Sequence, residues 1–168
     1  MALQIYKIAT IEVGSGGSST IDFTSIPSGY TDLVLDLSSR DTLTSTQYEV
    51  FARFNNISTS VYTYNRMVSD ASTGTSAGGS DTKLFIGNHP GSGATASTFS
   101  NISITIPNYT SSINKLVSVD AISSNNASTN YLIFTAGVTS ETAAINRITL
   151  SCNGNFTQYS MATLYGIL

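Results

Sequence analysis

Leu33, Leu35 and Leu37 stand at every second position between Asp32, Val34 and Asp36, and this two-residue rhythm returns from one end of the chain to the other. Alternation of that kind places one set of side chains on each face of an extended segment, so it commits the chain to half-buried strands rather than helices. Ile102, Ile104 and Ile106 alternate with Asn101, Ser103 and Thr105; Tyr48, Val50, Ala52 and Phe54 share a face; Leu3, Ile5 and the Ile8 to Val13 group do the same. Further segments run from Leu116 to Ile122, Tyr131 to Val138, Ile145 to Cys152 and Tyr159 to Leu168. Roughly nine strands of this length, divided by polar turns, fit an all-β chain: an antiparallel β-sandwich, jelly-roll-like, in a single domain over residues 1–168. The one helix candidate, Ser140 to Ala144, is too short for more than a turn.

The turns carry their own signals. Pro27 and Gly29 mark a compact turn at Ile26 to Tyr30, and Asn55-Asn56 and Pro107-Asn108 close strands. Gly14 to Ser19 reads as a hairpin turn. It lacks the Lys-Ser/Thr of a phosphate-cradling loop, and Ile21 and Phe23 resume the alternation where such a loop would open a helix. Ser58 to Gly79 is the longest interruption in the rhythm, nearly pure Ser, Thr, Gly, Ala and Asp after Ser69, and reads as one or two exposed loops.

Composition bounds the function. Serine, threonine and asparagine exceed a third of the 168 residues, only 10% are charged, and the formal net charge is -3, which leaves no basic footprint for nucleic acid. No apolar run approaches a membrane-spanning helix, and the first residues lack the basic and apolar regions of a signal peptide. The single cysteine, Cys152, forms no disulfide within the chain and reads as a buried, inert thiol. One histidine and one cysteine do not complete a tetrahedral zinc site, and Asp41 and the other loop acids form no calcium-binding run, so no metal and no cofactor are expected.

No arrangement announces catalysis. His89 lies among Asn88, Pro90 and glycines and reads as a solvated turn histidine; no Gly-x-Ser-x-Gly elbow is present. Glutamates number three (Glu12, Glu49, Glu141) and tryptophan none, a thin basis for glycoside hydrolysis. The five Asn-x-Ser/Thr triplets, at Asn56, Asn101, Asn108, Asn126 and Asn155, follow from composition. Tyr62, Tyr64 and Arg66 alternate in the irregular region and, with His89, are the candidate binding residues, for a subunit contact or for sugar. A surface of neutral hydroxyls and amides packs against another protein with little charge to desolvate, which suits symmetric assembly.

The stretches Ile8 to Leu35 and Tyr159 to Ile167 resemble small virion structural proteins of tailed bacteriophages, especially those of aquatic and cyanobacterial hosts. The resemblance implies a non-enzymatic virion part made in the host cytoplasm: a capsid decoration (cement) protein, trimeric and bound to the major capsid protein, or a tail-fibre or tail-tip module recognising host-surface glycan. It implies no catalytic residues.

Overall fold

The computed structural model describes residues 4–70, 72–125 and 129–168 and shows no helix among them. Leu3 and the Asn126 triplet lie outside the described residues. Twelve strands follow in order: β1 (Ile5–Glu12), β2 (Ser18–Phe23), β3 (Asp32–Ser38), β4 (Gln47–Phe54), β5 (Tyr62–Ser69), β6 (Gly74–Asp81), β7 (Leu84–Pro90), β8 (Asn101–Ile106), β9 (Lys115–Ser124), β10 (Asn130–Thr139), β11 (Ile148–Phe156) and β12 (Met161–Ile167). They pair, antiparallel throughout, into an eight-stranded sheet, β1-β12-β3-β8-β9-β10-β5-β6, and a four-stranded sheet, β2-β11-β4-β7.

The expected class holds, and the strand count rises from about nine to twelve. Two of the added strands come from the supposed loop at 58–79, which is a hairpin: β5 and β6 pair in register from Tyr62↔Asp81 to Ser69↔Gly74. The alternation fades there because β6 is an edge strand with almost every residue exposed, so burial imposes no apolar period on it. The Gly14 to Ser19 segment is not a hairpin turn either. β1 ends in the large sheet and β2 begins in the small one, so the segment carries the chain across the sandwich, with Gly17 at φ 69°. Ser140 to Ala144 is irregular rather than helical.

Leu33, Leu35 and Leu37 of β3, Ile102, Ile104 and Ile106 of β8, and Val117, Val119 and Ala121 of β9 turn inward to meet Ile21 and Phe23 of β2, Val50, Ala52 and Phe54 of β4, Leu84 and Ile86 of β7, and Ile148 and Leu150 of β11 in one buried cluster. At Gly87 (φ 131°) a Cβ would sit 2.7 Å from that of Ala121, and at Gly137 one would sit 2.6 Å from Leu84 Cδ1. Glycine at these two positions lets the layers approach closely.

Two buried cations tie loops to this frame. Arg40 donates to the carbonyls of Thr95 (2.8 Å), Thr98 (2.9 Å) and Ala94 (3.1 Å). The Lys115 ammonium, 1% exposed, donates to the carbonyls of Ser111 (2.7 Å), Ile113 (2.6 Å) and Thr142 (3.1 Å), so all three of its protons have acceptors.

Candidate functional site

The residues singled out from the sequence go to unexpected places. Tyr62 is fully buried: its ring lies 6.0 Å from that of Phe54, and its hydroxyl accepts the Phe54 N–H at 2.9 Å. Burial raises the pKa of its phenol. With no exposed area, Tyr62 offers nothing to a partner. Tyr64 and Arg66, next on the same inward-turned face of β5, are half-buried. The Tyr64 ring lies 5.7 Å from that of Phe85, while the Arg66 guanidinium sits 4.2 Å over Phe85 and pairs with Glu49 at 2.8 Å. The alternation of these residues belongs to a strand of the large sheet and not to a loop.

His89 is likewise not a solvated turn residue. It lies on β7 with no exposed area, its ring edge-on to Phe156. Its Nδ1 lies 3.0 Å from Ser39 Oγ and its Nε2 lies 3.2 Å from Asp41 Oδ2. Asp41, which the sequence showed as an isolated loop acid, is also fully buried, and its two oxygens accept the N–H groups of Leu43 (2.9 Å) and Gly154 (3.1 Å). Burial opposes its ionisation, but His89 and the two backbone donors outweigh that and hold its pKa down to about 2. Burial lowers the His89 pKa despite the neighbouring carboxylate. The consistent state at neutral pH is a neutral imidazole donating from Nε2 to an ionised carboxylate and accepting at Nδ1 from Ser39.

Ser39, His89 and Asp41 are the residue types of a nucleophilic triad, yet each is 0% exposed. A reactant needs a place within about 3 Å of the nucleophile, and none of the surface hollows described below is lined by these three residues. As built, the cluster is an internal polar knot. Cys152 of β11 adjoins it, half-buried, its thiol pKa raised by burial and by the Asp41 charge.

The outer face of the large sheet offers the accessible surface. Cross-strand pairing aligns Thr105, Ser118, Ala136, Asn65 and Gly78 in a row across β8, β9, β10, β5 and β6. Small side chains in register make the floor of a trough, and two adjoining hollows of about 660 and 630 Å³ lie along it. Leu116 and Val138 form one wall; Phe134 and Met67, directly paired, form the other, with Ile122 and Leu132 paired behind them. Met67 is 66% exposed, Leu116 63%, Ile122 53%, Phe134 47% and Leu132 43%. Asp120 is the charged residue these rows carry on β8, β9, β10, β5 and β6; beyond β8 they run on to Asp36 of β3 and Lys7 of β1. The sequence does carry a signal for this face: Leu132-Ile133-Phe134 is an unbroken apolar run inside an alternating strand, which makes both faces apolar.

The strands thus define a two-layer antiparallel β-sandwich with an apolar, nearly uncharged trough on the outside of its larger sheet. No family model and no curated relative matches the chain. Among solved structures it aligns with a galectin from Caenorhabditis elegans over 95% of each chain, at 8% identity and a TM-score of 0.33. It also aligns with infectious bursal disease virus, Gt strain, over 98% of this chain and 40% of that one, at 15% identity and a TM-score of 0.13. A further alignment is with T=1 particles derived from infectious bursal virus, over 98% and 39% of the two chains, at 12% identity and a TM-score of 0.12. The fold assignment rests on the strand pairing itself.

Proposed function

We propose that this chain is a non-enzymatic structural protein of a phage virion, seated through the outer face of its large sheet on a capsid lattice as a decoration protein. The observation that carries the docking part of this reading is the exposed apolar trough. Five large apolar side chains between 43% and 66% exposed, gathered along one trough beside Asp120, are what an interface presents before its partner arrives. The virion context comes from the resemblance of residues 8–35 and 159–167 to small phage structural proteins. Few charges need desolvation on such a face, and many copies bound to the assembled shell would stabilise it by mass action. The test is to add purified protein back to shells stripped of it and heat them: shells carrying it should open at a higher temperature, and identical opening temperatures reject the proposal.

A second reading, a tail-tip module binding host-surface glycan, is favoured by the trough's combination of the half-exposed Phe134 ring with the hydrogen-bonding groups of Asn65, Ser118 and Asp120. It moves the sugar contacts from Tyr62 and His89, which are buried, to this trough. Adsorption to host cells that survives Phe134→Ala unchanged would reject it.

A further inference from the structure

The polar knot that lacks access for catalysis has a different chemical capacity. A carboxylate oxygen of Asp41, a ring nitrogen of His89 and the sulfur of Cys152 all lie within 4.8 Å of one another. Tetrahedral zinc with nitrogen and oxygen ligands about 2.05 Å away holds those two atoms roughly 3.3 Å apart. His89 Nε2 stands 3.2 Å from Asp41 Oδ2. That is the upper end of an ordinary N–H···O hydrogen bond, and it is already the separation that two ligand atoms of one ion require. We propose that Asp41, His89 and Cys152 bind a zinc ion, with water in the fourth position.

The inference stands apart from the docking face and needs none of it. The sequence offers one histidine and one cysteine and so disfavours zinc; folding supplies the third ligand by bringing Asp41 from a distant segment. The carboxylate is already fixed by the Leu43 and Gly154 N–H groups. Gly154 is required there, because a Cβ at that position would lie 2.3 Å from Asp41 Oδ1. Of the three residues, Cys152 is the one that keeps some solvent exposure.

Proton and charge accounts close. The ion takes the Nε2 lone pair, so the imidazole proton moves to Nδ1, where Ser39 Oγ, 3.0 Å away, changes from donor to acceptor. Ser39 can then donate to Ser100 Oγ at 3.1 Å. The thiol proton leaves to solvent. One thiolate and one carboxylate neutralise the divalent ion, so the buried site carries no net charge. Ser39 orients the ligand histidine through its far nitrogen, as outer-shell partners of zinc-bound histidines do.

Cobalt(II) is the probe, because its tetrahedral thiolate complexes absorb strongly in the visible and its aqua ion barely does. Metal-free full chain should take up one cobalt per chain with a sulfur-to-metal band, zinc should displace it, and zinc should raise the melting temperature. Cys152→Ala, a change at a half-buried position, should abolish the band and weaken zinc by at least about a hundredfold, while Ser39→Ala should weaken it about ten- to a hundredfold. Each variant is checked for its strand-type circular dichroism before titration. Absence of the band in the wild-type chain, or cobalt uptake equal in wild type and Cys152→Ala, overturns the proposal.

Discussion

Phe134→Ala is the sharpest probe of the docking face. The ring is 47% exposed on the trough wall, paired across the sheet with Met67. A phenylalanine presents about 200 Å² in all, so about 90 Å² remains for a partner to cover. At about 25 cal/mol per Å² that area contributes about 2 kcal/mol to binding, which is about thirtyfold in the dissociation constant. The assay is co-sedimentation of labelled protein with stripped shells over a concentration series, well below the melting midpoint so that only folded protein is compared. This control matters because the covered half of the ring packs on the sheet, and alanine lowers folding stability by an amount of the same order. Ile5→Ala supplies the matched comparison: Ile5 is 60% exposed but lies on β1, at the opposite edge of the sheet, and should bind as wild type does. Equal affinity for Phe134→Ala and wild type, or equal losses for both variants, would refute assignment of the contact to the trough.

Substitutions at three further positions test the stability of the fold. Tyr62→Phe strands the buried Phe54 N–H and should cost about 1–3 kcal/mol in urea unfolding; Tyr62→Ala should cost about 3–5 kcal/mol, and an unchanged midpoint would show that Tyr62 is not core. Gly137→Ala puts a methyl 2.6 Å from Leu84 Cδ1, where Leu84 is fully enclosed, and should lower stability by about 1–3 kcal/mol by the same measurement. Burial works against the Asp22 carboxylate, but Thr149, Arg147 and Thr20 outweigh it and hold its pKa below the ordinary value. A carboxylate depressed in the folded state contributes stability that is complete above its unfolded pKa of about 4 and lost as pH falls through the folded value. Asp22→Asn should therefore flatten the fall in urea midpoint below about pH 4, and an unaltered acid limb would contradict this.

Where burial was one-sided, the sequence could be read directly. Leu33, Leu35 and Leu37, and Ile102, Ile104 and Ile106, sit inward as their spacing required, because a strand with one wet face must alternate. β6 escaped notice because an edge strand of glycine, serine and alanine has no oily face to repeat. His89 is illegible in the sequence for a different reason. Its glycine-rich surroundings look like a turn, and the partners that make its burial tolerable, Ser39 and Asp41, arrive only through tertiary folding. The trough is harder still to foresee, since its floor depends on the cross-strand register of five strands, which spacing within any one of them does not encode.

The enclosure of Lys115 has a practical corollary. Of the three lysines in the chain, its amine is locked behind three carbonyls, which leaves the exposed Lys7 on β1 and the half-buried Lys83, whose ammonium rests 3.4 Å over the Phe51 ring. Lys7 stands at the β1 end of the cross-strand row that forms the trough floor, in register with Thr105 through Tyr165 and Val34, so an acylating dye on its amine would mark the far edge of that face, three strands from Thr105.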